Sequence, residues 1–183
     1  MQATEAALRR VSDPCTMPTR EGIVDMNLLA QELGRELTSR SLTISVAESC
    51  TAGGLAHEVT RVPGASAYFL GGVIAYDNAV KTGLLGVPES ILVRFGAVSA
   101  EVAEAMASSC QRLFETDIAV SITGIAGPGG GTPEKPPGLV FVAVADASIA
   151  RSRRFDFIGS RDKVRSQATE AALMMASSFL ADR

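Results

Sequence analysis

The sequence predicts a three-layer α/β/α domain around a five-stranded, mostly parallel mixed sheet, and three observations carry that expectation. Short apolar runs alternate with stretches of helical periodicity, the pattern of α/β chains. Two of those runs, 68–76 and 118–123, are apolar almost throughout, as strands covered on both faces are. The last two runs are separated by only two or three residues, too short a link for a parallel crossover, so part of the sheet is antiparallel.

Residues 1–22 read as an N-terminal extension. Residues 3–11 have the pattern of a short helix, but Asp13-Pro14, Met17-Pro18 and Gly22 break any regular element beyond it. The domain itself is expected over 23–183. Asp25 is a good N-cap for a helix ending near Ser39, with Met26, Leu29, Leu33 and Leu37 on one face. The first strand covers 42–47, and a helix from about Ala52 to Thr60 comes next, closed by Pro63-Gly64. The second strand, 68–76, holds Gly71-Gly72 and reads as buried, with a close backbone approach at the glycines. Asp77 or Asn78 caps a short helix bearing Lys81, which Gly86-Val87-Pro88 ends, and 89–94 is helical again. Ser99 caps an amphipathic helix with Val102, Ala105, Met106, Ser109 and Leu113 facing inward. The third strand, 118–123, is expected to be central. A loop over 124–138 comes after it, with six glycines and four prolines in fifteen residues, a composition incompatible with helix or ladder. Strands over 139–146 and 149–157 precede a last helix, 161–181, whose inward face is Val164, Ala168, Ala171, Ala172, Met175 and Phe179.

Composition narrows the function. A chain of 183 residues, 46% hydrophobic and 20% charged, makes one globular domain with a sizeable core. Its net charge of −3 provides no basic footprint, which argues against a nucleic-acid partner. Cys15, Cys50 and Cys110 are odd in number and form no CxxC pair, so a reducing, cytoplasmic setting is expected, without disulfides or structural zinc. A single histidine, His57, rules out a multi-histidine metal centre, and no metal or cofactor is expected. No apolar run reaches the roughly 18 residues of a membrane span, and no signal core opens the chain. The expected partner is a small-molecule substrate, and the expected assembly a homo-oligomer, a dimer in the first instance.

The chemistry centres on Val46-Ala47-Glu48-Ser49-Cys50-Thr51-Ala52-Gly53-Gly54. An apolar strand runs into a small, hydroxyl-rich turn and then a helix, which is how a nucleophile is delivered to backbone N–H groups able to hold an oxyanion. Ser49 is the candidate nucleophile; the alternative is that Ser49 or Thr51 merely caps the helix. Glu48 is read as fixing the turn. Cys50 is a poorer nucleophile, because His57 lies seven residues further along the same expected helix, roughly 10 Å away. In a parallel sheet, Ser49 at the end of the first strand, Tyr76–Lys81 after the second and Thr123 with the glycine loop after the third share one crevice. Arg161 opens the last helix nearby. With histidine scarce, a lysine kept neutral by burial is a reasonable base for a serine, and Lys81 is that candidate. For an anionic group the donors are the backbone of 124–131, Lys135 or the N-terminus of the last helix. Thr51, Gly53, Thr123, Gly124, Gly127, Gly129 and Gly130 complete the expected binding set.

Ala47-Glu48-Ser49-Cys50-Thr51-Ala52-Gly53-Gly54, Tyr76 with Lys81, Gly96-Ala97-Val98-Ser99, Ser121 to Pro128 and Gly159-Ser160-Arg161-Asp162 together resemble the CinA C-terminal domain family over about 23–183. That family includes stand-alone nicotinamide-nucleotide amidohydrolases, historically called competence-damage proteins. The resemblance implies deamidation of nicotinamide mononucleotide to nicotinate mononucleotide and ammonia, in pyridine-nucleotide salvage. It also implies a serine nucleophile, a lysine base, an arginine and a tyrosine, which fall on Ser49, Lys81, Arg161 and Tyr76. Two departures stand out: Ala52 is an extra small residue expected to sit harmlessly on the helix, and Gly129 stands where some relatives have Asp. The larger N-terminal domain of full-length CinA proteins has no counterpart here, so its pyrophosphatase activity is not expected. A catalytically silent nucleotide-binding module is the alternative, and the DNA-related role in the historical name is disfavoured by the acidic balance.

Overall fold

The computed structural model describes residues 25–183, so the expected extension lies outside the described residues. The chain runs α1 (Met26–Ser39), β1 (Ile44–Glu48), α2 (Gly54–Thr60), β2 (Phe69–Ile74), α3 (Asn78–Gly83), α4 (Glu89–Phe95), α5 (Ala100–Phe114), β3 (Ile118–Gly124), β4 (Leu139–Ala145), β5 (Ala150–Asp156) and α6 (Arg161–Ala181). A 3-10 turn, Ala65–Ala67, lies between α2 and β2 and had no counterpart in the sequence pattern. The strands form one five-stranded sheet in the order β2-β1-β3-β4-β5. The pairs β1/β2 and β1/β3 are parallel, and β3/β4 and β4/β5 antiparallel. The expected three-layer architecture and mixed sheet are therefore present.

Period-two alternation divides the sheet into two unlike faces. Ile44, Val46, Ile118, Val120, Ile122, Val140, Val142 and Val144 point into the core shared with α1, α2 and α6. The opposite face is small: Ala47 and Ala119 meet Val102 and Met106 of α5, and Ala143 and Ala145 meet its Ala103 and Ala107. Two serines on that face are bonded within it. Ser121 Oγ donates to Ala103 O at 2.6 Å, and Ser45 Oγ pairs with Thr116 Oγ1 at 2.8 Å. The helix caps follow their sequence signals, with Asp25, Asp77, Ser99 and Ser160 each accepting a backbone N–H of the first turn.

Several expectations shift. β2 is shorter than its apolar run and lies at the edge of the sheet, where Leu70 and Ile74 are half exposed. An apolar sequence fits an edge strand as well as a buried one when only one flank has a neighbour. The close approach expected at Gly71-Gly72 is present, since a Cβ on Gly72 would stand 2.7 Å from the Val46 carbonyl. Helix α5 buries Val102, Met106 and Ser109 as expected, but the stripe is shifted to one side: Ala103, Ala107 and Cys110 are buried too and Leu113 is exposed, because the alanine-lined sheet face accepts small side chains. Helix α2 begins at Gly54 rather than Ala52, and Ala52 (φ 50°) and Gly53 (φ 95°) both adopt left-handed conformations before it. Ala52 is thus part of the turn, not the helix.

From β1 the chain passes through α2 to β2 on one side, then returns over α3, α4 and α5 to β3 on the other. The carboxyl ends of β1 and β3 lie at this reversal, where open α/β sheets form their binding crevices.

Candidate active site

Alternation at the end of β1 sends its last two polar side chains in opposite directions. Glu48 turns toward α2, and Ser49, whose amide continues the ladder by donating to Ile122 O at 2.9 Å, turns toward α3. Lys81 meets it there. Its Nζ lies 3.4 Å from Ser49 Oγ, 2.7 Å from Ala75 O and 3.3 Å from Tyr76 O. The side chain is 1% exposed, among the largest fully buried in the protein. Burial lowers the lysine pKa from its ordinary value, with Asp77 and Cys50 pulling more weakly the other way. A neutral amine has two N–H groups and one lone pair; donating to the two carbonyls leaves the lone pair for the Ser49 hydroxyl proton.

Glu48 accepts from the amides of Gly53 (3.0 Å), Leu55 (3.1 Å) and Ala56 (2.8 Å), and so occupies the N-terminus of α2. Neither Ser49 nor Thr51 caps that helix; its N-cap is Gly53, with no side-chain bond from the cap itself. Past Ser49, the amides of Cys50 and Thr51 make no hydrogen bond among the described residues. Cys50 is buried, which pushes its thiol up to about 11 and leaves it a protonated, weak nucleophile at neutral pH. His57 lies exposed on α2.

Around Ser49 and Lys81 opens a cleft of about 260 Å³. Its lining includes Tyr76, Asn78, Arg161, Thr123, Gly124 and the loop through Gly127, Gly129 and Gly130. Arg161 joins the loop to Tyr76, donating to Gly127 O (3.0 Å) and Tyr76 Oη (3.1 Å). The amides of Ala126, Gly127, Gly129 and Gly130 carry no hydrogen bond among the described residues. Gly127 and Gly130 have positive φ (79° and 84°), the left-handed backbone that favours glycine. Thr123 reaches the cleft, but its hydroxyl donates to Ala97 O at 2.7 Å.

Three expected binding residues stand outside the cleft wall. Thr51 is fully buried beneath the turn, its carbonyl accepting from Arg165 at 2.8 Å. Gly53 is the N-cap of α2 and donates to Glu48. The Lys135 ammonium donates to Phe95 O (2.6 Å) and Val98 O (2.7 Å), tying the glycine loop to the end of α4 instead of facing a ligand. Asn78 lies within the Tyr76–Lys81 stretch expected at the crevice but had no binding role of its own there, and Ala97 and Val98 stood out only through the Gly96–Ser99 segment that carries the resemblance. Among the described residues no group of His, Cys, Asp or Glu could hold a metal ion, and no helix is long and apolar enough to cross a membrane.

Comparison with known proteins gives a consistent result. Residues 26–180 match the family model described as the CinA C-terminal domain. A CinA-like protein of Cyanothece sp. (strain PCC 7425 / ATCC 29141) is 52% identical over 151 residues, covering 81% of this chain and 36% of that protein. One from Synechococcus sp. (strain CC9311) is 62% identical over 119 residues, 65% of this chain and 28% of that protein. The chain thus spans about a third of the length of the curated relatives it matches. Among solved structures, the competence/damage inducible protein CihA from Agrobacterium tumefaciens superposes with a TM-score of 0.83 at 36% identity, covering 85% of this chain and 95% of that one. The competence damage-inducible protein A from Klebsiella pneumoniae subsp. pneumoniae MGH 78578 gives 0.84 at 31% identity, over 86% and 98% of the two chains.

Proposed function

The chain belongs to the CinA C-terminal domain family, and from that premise we propose that it is an amidohydrolase deamidating nicotinamide mononucleotide to nicotinate mononucleotide and ammonia. The observation that carries the proposal is the buried Lys81 amine 3.4 Å from Ser49 Oγ, both lining a cleft shared with the glycine loop.

The carboxamide of the substrate is attached to a cationic pyridinium ring, which withdraws electrons and makes its carbon a good electrophile. Ser49 Oγ bonds to that carbon while neutral Lys81 takes the hydroxyl proton. The tetrahedral oxyanion accepts from backbone N–H groups, each such donor being worth about 2.7–4 kcal/mol in related chemistry. Lys81 returns the proton to the departing nitrogen, the C–N bond breaks, and ammonia leaves a nicotinoyl ester on Ser49. Water then attacks the ester, again losing its proton to Lys81, and the carboxylate product departs as Ser49 is re-protonated. The cleft suits the rest of the molecule: Tyr76 offers an aromatic surface to a cationic ring, and the free amides of the glycine loop with Arg161 offer an anchor to the phosphate. A dimer belongs to the same proposal. The outer edge of β2 has no charged residue over Phe69–Ile74 and exposes Leu70 and Ile74, whereas β5 guards the other edge with Arg151, Arg153 and Arg154.

Ammonia release from nicotinamide mononucleotide tests the reading. Ser49→Ala is expected to be folded and inactive, Lys81→Ala to lose about 10²–10⁴-fold in turnover, and Cys50→Ala and His57→Ala to stay active. Activity in Ser49→Ala with loss in Cys50→Ala would overturn the serine assignment. Tight binding of the mononucleotide without ammonia release by the unaltered protein would make it the silent module.

A further inference from the structure

We propose that Glu48 is a positioning residue for Ser49, and that by occupying the N-terminus of α2 it leaves the Cys50 amide, beside the nucleophile, as the oxyanion donor of the turn. The inference rests on the serine chemistry of the proposed amidohydrolase.

The starting observation is a carboxylate 1% exposed, at the end of β1, with no cation paired to it among the described residues. A buried carboxylate is costly unless it is hydrogen-bonded. Glu48 meets that need with backbone alone: Oε2 accepts from Gly53 and Leu55 and Oε1 from Ala56. These are N–H groups of the N-cap and first turn of α2, the groups that a strand-turn-helix nucleophile site ordinarily aims at its oxyanion. Here they are already occupied by an anion and turned to the far side of β1 from Ser49. Of the two amides after the nucleophile that have no described acceptor, those of Cys50 and Thr51, only Cys50 lines the cleft; Thr51 is fully buried beneath the turn.

The same contacts hold the turn. Ala52 and Gly53 are both left-handed, so the five residues between β1 and α2 double back tightly. Glu48 fastens its downstream end, and Arg165 Nη2 fastens its middle by donating to Thr51 O at 2.8 Å. Because adjacent residues of a strand point to opposite faces, one residue can brace the helix while the next faces the lysine. Glu48 and Ser49 divide those two tasks.

Glu48→Gln keeps the size of the side chain but replaces one acceptor oxygen with an NH₂ group, which faces a backbone N–H without being able to accept from it. The experiment measures two things on purified full-length protein: the rate at which a fluorophosphonate modifies Ser49, followed as a mass increase, and the equilibrium affinity of nicotinamide mononucleotide for Ser49→Ala with and without Glu48→Gln. The phosphonyl oxygen develops charge as the acyl oxyanion would, so the first measurement needs no particular substrate. Glu48→Gln is expected to slow modification by about 10²-fold or more while mononucleotide affinity changes less than about threefold. Glu48→Asp, which keeps the charge on a shorter arm, is expected to recover part of the rate and serves alone if the glutamine variant does not fold. Modification at the unaltered rate would overturn the proposal. So would a parallel loss of affinity and rate, which would mark general collapse of the cleft. If the unaltered protein is modified at Ser49 but releases no ammonia from the mononucleotide, the substrate assignment fails while the role of Glu48 is still decided.

Discussion

Lys81 is the residue at which stability and reactivity pull in opposite directions. Its amine is buried beside a serine, and burial lowers its pKa below the ordinary lysine value of 10.5. Only the neutral form can take the Ser49 proton, so kcat/KM is expected to rise with pH through that lowered value and to level off before 10.5. Lys81→Arg, always charged, should be nearly inactive across the range. The sign for stability follows from proton counts. Between the lowered folded value and 10.5 the unfolded chain binds the lysine proton and the folded chain does not, so stability rises with pH across that window. Buried Cys50 and Cys110 act in the other direction. Their thiols are raised from 9.0 to about 11, so the folded state holds protons that the unfolded state has lost, and stability falls with pH between those values. Thermal melts of the unaltered protein and Lys81→Met at matched pH cancel the thiols. The melting temperature of the former should gain on the latter as pH rises, and a constant difference would mean that Lys81 is charged in the fold.

The glycine loop is closed by backbone bonds of its own, Gly138 N donating to Ile125 O and Thr132 and Lys135 exchanging a pair, and it is braced from outside by one side chain. Lys135 reaches from the loop to the carbonyls of Phe95 and Val98, where α4 ends and α5 is about to begin. Lys135→Met keeps most of the aliphatic stem and removes the ammonium, leaving two carbonyls without their charged donor. Its expected signature is a melting temperature a few degrees lower, from the loss of about 1.5–3 kcal/mol per charged bond, together with a raised KM for the mononucleotide. An unchanged KM would show that the loop keeps its shape without the clamp. Sequence alone could not place Lys135 here, because a lysine in a glycine- and proline-rich stretch reads equally as a ligand donor and as a brace. The helices were more legible where a polar cap preceded an apolar period, as at Asp25, Ser99 and Ser160. The phase of α5 was less so, since which stripe turns inward depends on the alanines of β1, β3 and β4 that it meets.

Across the whole molecule, what local pattern conveyed was element type; what it could not convey was neighbourhood. The apolar run of β2 is the same whether one flank or two are covered, and only the sheet order places it at the edge. Ser49, Lys81 and the glycine loop were legible as a group because parallel strands bring their carboxyl ends together, whereas the buried reach of Glu48 into α2 depends on a turn whose left-handed residues the sequence did not announce. The position of β1 has a further consequence, for folding. Its strand is flanked by β2 and by β3, and Thr43 and Asp117, which bond at the base of the β1/β3 pair, are 74 residues apart in sequence. Closing a separation of that size comes late relative to forming helices and local turns. The Ser49 amide takes its place by donating to Ile122 O on β3, so the proposed nucleophile is unset until that distant strand has docked. On the proposed serine chemistry, catalytic competence and complete topology then arrive together, and a partly folded chain would carry no activated serine.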